Sequence, residues 1–135
     1  CHAKTVADGK AALKKMPTDT CFVCHSNFRK LDRNPVVHPP FASGDCTTCH
    51  NPHVSKRGSL IRKPLSDICF GCHDESALKD AHPVSRHPTA NEEKPDPRRE
   101  GKPFNCASCH EPHAGANARL MRADLFTLCG ECHKK

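Results

Sequence analysis

The sequence has 135 residues and a formal net charge of +6, the length of one ordinary domain. Leu, Ile, Val and Phe together make up about 16% of it, below the roughly 20% at which a chain stops folding around its own side chains. There is no Trp, no Tyr and no apolar run of membrane-spanning length, so a conventional core and a transmembrane segment within these residues are both excluded. Something other than side chains must supply the interior. Cysteine and histidine number 11 each; at about 8% Cys, disulfides or bound metal become the leading compensation for a poor core.

In chain order, Cys1-His2 comes first, and a Lys-rich helix is expected around residues 8–15. Five short helices follow, each carrying the same pentapeptide. These are Cys21-Phe22-Val23-Cys24-His25, capped near Asp19, and Cys46-Thr47-Thr48-Cys49-His50. The third is Cys69-Phe70-Gly71-Cys72-His73, capped near Ser66 or Asp67; the last two are Cys106-Ala107-Ser108-Cys109-His110 and Cys129-Gly130-Glu131-Cys132-His133. Residues 89–103, with Pro95, Pro97 and Pro103 in a dense mixture of charges, read as an exposed loop. Prolines and glycines interrupt most other runs, and no strand pattern persists.

C-x-x-C-H is the attachment signature of c-type haem. Two thiols one helical turn apart add to the two vinyl groups of one porphyrin edge, and the adjacent His reaches the iron from below. Zinc is the competing reading, because Cys46, Cys49, Cys69 and Cys72 fit the spacing of a four-cysteine ribbon. A ribbon has no need of His directly after each second Cys. At the chain's His frequency of about 8%, five such placements in five would arise by chance roughly a few times in a million. Disulfides fail the same test.

Cys1 to Cys21, Cys49 to Cys69 and Cys109 to Cys129 are each 20 residues. Cys1-His2 is therefore read as the end of a sixth motif that starts upstream, where a cleaved export signal is also expected. A lipidated Cys1 is the alternative. Six haem c groups are expected, five with complete motifs here.

A repeat organises the chain. His38-Pro39, Cys46 to His50, Pro52-His53, Leu60-Ile61-Arg62, Leu65 and Cys69 to His73 recur as His87-Pro88, Cys106 to His110, Pro112-His113, Leu120-Met121-Arg122, Leu125 and Cys129 to His133. The second copy carries an 11-residue insertion, the 89–103 loop. Three haem-pair units follow: 1–37 (degenerate), 38–86 and 87–135. On these elements, and above all on Cys49-His50-Asn51-Pro52-His53 and Cys109-His110-Glu111-Pro112-His113, the sequence resembles the doubled C-x-x-C-H multihaem cytochromes of bacterial electron transfer. The resemblance implies a mostly irregular fold with short α-helices, little or no β, and a core of covalently bound haems. It also implies two His ligands per iron, carried over to His38 and His53 and to His87 and His113.

His53 lies three residues past His50 across Pro52 and cannot reach the opposite face of the same haem. It is expected to cap the haem of His73, and His113 that of His133, leaving His38 and His87 for the haems of His50 and His110; swaps within a pair stay open. His82 is expected at the haem of His25, with a surface role as the alternative. Six motif histidines and five others give eleven ligands for twelve positions. The twelfth is left to upstream residues, Met16, Met121, a neighbouring subunit or no ligand, and both methionines read as packing residues.

The charge of +6 at first suggests anionic partners. Haem propionates would take it to about −6 when ferrous and about 0 when ferric, and no aromatic interleaving exists for base stacking, so nucleic acid is rejected. A globule of this length has a radius of gyration of about 14 Å, which forces six haems nearly edge to edge. The expected function is electron transfer along closely spaced, mainly bis-His haems, outside the cytoplasmic membrane in the periplasm or at the cell surface. Other redox proteins or copies of the chain, as in an extracellular cytochrome filament, are the expected partners. A multihaem oxidoreductase with one open haem and a subunit of a membrane-associated complex are the alternatives.

Overall fold

The computed structural model describes residues 1–7, 10–82, 85–89 and 94–133. Short helices and two small two-stranded sheets are joined by mostly irregular chain. Strands β1 (His2–Ala7) and β2 (Lys10–Leu13) form an antiparallel hairpin, with His2 opposite Leu13. The Lys-rich helix expected at 8–15 is therefore not formed. Positions 8 and 9 lie outside the described residues, and 10–13 pair as strand instead, because too few turns were available to nucleate a helix.

Helix α1 (Pro17–Phe22) carries the first complete motif, and a 3-10 helix (Ser26–Arg33) follows it. Strand β3 (Val36–Val37) leads into α2 (Pro39–Ala42), α3 (Cys46–Cys49), α4 (Leu65–Phe70) and α5 (Glu75–Ala81). Helix α6 (Cys106–Cys109), strand β4 (Ala114–Gly115) and α7 (Leu125–Gly130) complete the order. Each complete C-x-x-C-H thus starts on a short helix. The caps differ from expectation: α1 and α4 start at Pro17 and Leu65, so Asp19 and Asp67 lie in first turns, where they oppose the helix dipole. Ser66 is buried, its hydroxyl donating to the Thr89 carbonyl.

Strand β3 pairs antiparallel with β4, Val36 opposite Gly115 and Val37 opposite Ala114. The middle of the sequence is thereby fastened to its last third. Gly44 is the glycine that the packing demands: its φ is +77°, and a Cβ there would lie 2.1 Å from the Thr18 hydroxyl. That close approach seats α1 against α3.

The buried apolar residues are Phe104, Ala114 and Leu128, while Phe126 is 90% exposed and Met16 71%. Met16 therefore does not pack as expected. The polypeptide exposes 10123 Å², against about 7,000 Å² for a compact protein of 14.9 kDa. The side chains line the interior without filling it. Most described residues of the insertion are exposed, as expected of a loop. Residues 90–93 lie outside the described residues, but Asp96 is buried. Its carboxylate accepts from the Arg98 backbone N–H (2.9 Å) and the Arg99 Nε (2.5 Å).

Candidate haem-binding site

All eleven cysteines are free thiols. Those of different motifs lie beside one another: Cys21 by Cys46, Cys49 by Cys72, Cys69 by Cys106 and Cys109 by Cys129. Of the four ribbon candidates, Cys49 and Cys72 adjoin each other, while Cys46 lies by Cys21 and Cys69 by Cys106. Among the described residues no three His, Cys, Asp or Glu side chains converge as a metal cluster, so the zinc ribbon is not assembled. The Cys69 thiol shares a hydrogen bond with Cys106; that bond and burial push its pKa up, while the same bond lowers Cys106 to about 6.

The histidines are arranged in facing pairs. Ring centres lie 5.8 Å apart for His2 and His53, 6.3 Å for His38 and His73, and 6.0 Å for His50 and His113. The separations are 6.2 Å for His82 and His110 and 5.8 Å for His87 and His133. The first three pairs are near parallel, at 18°, 13° and 11°; the last two are steeply inclined, at 61° and 82°. Each pair joins one motif histidine to one outside the motifs. His25 instead meets the edge of Phe28 at 5.9 Å.

These contacts differ from the expected pairings. His53 does not face His50, nor His113 His110, as the short Pro-bridged spacing required. But His113 meets His50 rather than His133, because the β3–β4 pairing and the His38 N–H to His113 carbonyl bond (2.9 Å) draw it across. His53 meets His2, its Nε2 at 3.5 Å from the His2 Nε2. His38 and His87 then face the second motif of each repeat, His73 and His133, and His82 faces His110 rather than His25.

Backbone carbonyls fix several rings. The Nδ1 of His50 donates to the Ser59 carbonyl (2.8 Å) and that of His110 to the Arg119 carbonyl (2.9 Å), while His2 Nδ1 lies 3.3 Å from the Ala11 carbonyl. Protonated Nδ1 leaves Nε2 with its lone pair, the form that binds metal. To aim those carbonyls the chain adopts left-handed φ values at Ser59 and Leu60 (both 54°) and at Arg119 and Leu120 (both 56°), a conformation costly for residues with a Cβ. Sequence reasoning missed this device. Its one trace was the equal spacing of Leu60 and Leu120 from their motifs.

Burial lowers the pKa of His38, with His73 adding to it, and lowers those of His113 and His82. Each shift favours the neutral imidazole, the form that metal ligation requires. Phe28 and Phe41 wall His113, with ring centres 5.0 and 5.4 Å away. Two clefts adjoin the repeats: one of about 240 Å³ beside His50, His53 and Arg62, and one of about 300 Å³ beside Arg98, Arg99 and Arg122. Among the described residues the buried Nδ1 of His87 and Nε of Arg98 have no hydrogen-bond partner.

Two imidazoles bound to one ion at ~2.0 Å place their ring centres about 6 Å apart, the spacing of all five pairs. With free thiols on short helices and arginines beside them for propionates, the donor set fits haem c. No curated protein matches the chain. The doubled CXXCH motif family matches residues 38–78 and 96–135, more than half of the sequence, and the chain belongs to that family as a haem-binding, multihaem c-type cytochrome.

Proposed function

We propose that the chain relays electrons through six c-type haems, five of them held between two histidines. The observation that carries this reading is the set of five facing imidazole pairs, each joining one motif histidine to one outside the motifs. The attachment residues are Cys21 and Cys24, Cys46 and Cys49, Cys69 and Cys72, Cys106 and Cys109, and Cys129 and Cys132, with Cys1 serving the haem of His2. The ligand pairs are His2 with His53, His50 with His113, His73 with His38, His110 with His82, and His133 with His87. Bound haem supplies a one-electron couple at each position.

The protein's own groups do the rest. Two imidazoles hold both oxidation states in one geometry, so little rearrangement accompanies electron transfer. The Ser59 and Arg119 carbonyls raise the basicity of His50 and His110 and so favour the ferric state. Arg62, Arg98, Arg99 and Arg122 balance propionate charge. The chain works outside the cytoplasmic membrane, in the periplasm or at the cell surface. It exchanges electrons with other redox proteins or with copies of itself in a filament; light scattering separates the two, a filament giving very large mass.

Electron paramagnetic resonance of the oxidised holoprotein tests the ligand pairs, because the angle between imidazole planes sets the anisotropy of low-spin ferric haem. Three haems with the rhombic signal of parallel rings and two with the strongly axial signal of crossed rings are expected. His38→Met should convert one rhombic haem to mixed ligation and raise its potential. Six unchanged signals in that variant would remove His38 from the ligand set.

A further inference from the structure

The histidine that follows each Pro52 or Pro112 is backed differently in the two repeats, although the backbone beside it is the same. The Asn51 N–H donates to the Leu60 carbonyl (2.8 Å) and the Glu111 N–H to the Leu120 carbonyl (2.7 Å). The side chains then diverge. Asn51 Oδ1 accepts from the backbone N–H of His53 (3.0 Å), whereas Glu111 Oε1 accepts from the ring Nδ1 of His113 (3.3 Å). The other Glu111 oxygen, Oε2, lies 2.8 Å from Arg122 Nη1, and Arg122 Nε donates to the Ala107 carbonyl (2.7 Å). A carboxylate anchored at both ends of its reach is thereby held behind one imidazole.

That imidazole is turned out of its own repeat. The bond from the His38 N–H to the His113 carbonyl (2.9 Å) and the pairing of Val37 with Ala114 fix the chain beside it, and its plane lies 11° from that of His50. Phe28 and Phe41 wall the ring at 5.0 and 5.4 Å, which lowers the local dielectric and strengthens the effect of the charge. His50 itself donates from Nδ1 to the Ser59 carbonyl (2.8 Å), so both rings of this pair have an acceptor behind them. A carboxylate at Nδ1 pulls on the ring proton, raises the basicity of Nε2 and favours the more positively charged state of a bound metal.

We infer that Glu111 is a positioning residue that acts through His113 to lower the reduction potential of the haem attached at Cys46 and Cys49. The inference rests on the His50–His113 pairing proposed above. A residue of the last repeat thereby tunes a centre of the middle one. The exchange of an amide for a carboxylate at matching positions, Asn51 and Glu111, makes two otherwise similar copies unequal.

The test compares the holoprotein with its Glu111→Gln variant, which keeps the shape of the side chain and removes its charge. In spectroelectrochemical titration one midpoint potential should rise. A roughly tenfold change in the ferric-to-ferrous balance is expected, the low end for a lost partner of a metal ligand, or about 59 mV for a one-electron couple. No rise in any potential would overturn the inference. The near-infrared charge-transfer band of low-spin ferric haem follows donor strength, so one haem's band should move to lower energy in the same variant. The rhombic paramagnetic resonance signal of near-parallel rings should be kept; its loss would make Glu111 a packing residue and refute the electronic role. His113→Met supplies the location. It should convert one haem to mixed ligation, and adding Glu111→Gln to it should move no potential further; a further rise places the effect on another haem and overturns the assignment. Unchanged ligation of every haem in His113→Met would instead break the underlying pairing, and the inference falls with it on that separate ground.

Discussion

The stretches 46–62 and 106–122 run through the same construction twice. In each, a one-turn helix carries the two cysteines, and the following histidine donates from Nδ1 to the carbonyl of a left-handed residue, Ser59 or Arg119. An arginine, Arg62 or Arg122, reaches back to the carbonyl of Thr47 or Ala107 at 2.7 Å. What differs is how the helix is anchored. Helix α3 starts at Asp45 without a side-chain cap. Helix α6 has a full capping box, Asn105 accepting from the Ala107 N–H and Ser108 accepting from the Asn105 N–H. The insertion closes over it: Arg99 donates to the Ser108 hydroxyl (2.9 Å), and Arg98 joins the Ser108 carbonyl to the Glu131 carboxylate. Orientation of the motif histidine is thus a backbone property that each copy repeats, while rigidity comes from side chains that one copy has and the other lacks.

The largest test of that contrast is Asp96→Asn. The carboxylate is fully buried between Arg98 and Arg99, and removing its charge leaves the largely buried Arg99 guanidinium without a carboxylate partner and Arg98 with Glu131 alone. A loss of about 3 kcal/mol in denaturant unfolding of the holoprotein is expected, the low end for a broken buried pair because both arginines keep some water. Asp45→Asn, at an exposed residue, should stay within about 0.5 kcal/mol. The pH dependence follows with a definite sign. Burial alone would raise the Asp96 pKa, but the hydrogen bonds from Arg98, Arg99 and Ser108 outweigh it and hold it below the usual carboxylate range. A depressed folded-state pKa stabilises above the unfolded value near ~4 and is lost as pH falls through the folded value. Asp96→Asn should therefore flatten the acid limb of the stability curve, with equal slopes in both proteins counting against the buried pair.

The caps give a smaller difference. Asn105→Ala should cost about 1 kcal/mol, within the range for a lost N-cap. Asp45→Ala should cost a few tenths at most, since among the described residues the Asp45 carboxylate accepts from the exposed Ser43 hydroxyl alone. Equal losses would mean that the capping box contributes nothing beyond helix propensity.

The attachment motifs, the short helices under them and the poverty of the core were legible in composition and spacing, because each follows from residue identity alone. Partner choice among the histidines was not. The Pro52 and Pro112 spacing speaks only to His53 and His113 turning back on His50 and His110; which rings they face depends on two-residue strands, β3 and β4, too short to give a periodic signal. The hairpin that brings His2 to the front of His53 was likewise hidden, its lysines and alanines favouring helix by propensity. In the insertion Lys94, Glu100 and Lys102 are exposed as their charges suggested, while Arg98 and Arg99 close around the buried Asp96. Charge counts report solvation only where no partner is within reach.

The finest test concerns the shared left-handed turn. A residue with a Cβ pays about 1–2 kcal/mol to sit at positive φ, and glycine avoids that cost at the expense of a more flexible unfolded chain. Ser59→Gly and Arg119→Gly should each stabilise the holoprotein by about 0.5–1 kcal/mol, by equal amounts if the two turns are one device. Because the carbonyls keep their aim, the haem potentials should not move. Proline at either position cannot reach φ near +55°, so the carbonyl swings away, the His50 or His110 ring loses its Nδ1 partner and becomes a weaker donor. One haem should then rise in potential by spectroelectrochemical titration, a different one for Ser59→Pro than for Arg119→Pro. A shift in the glycine variants, or none in the proline variants, would show that the strain at these turns serves packing rather than the ligands.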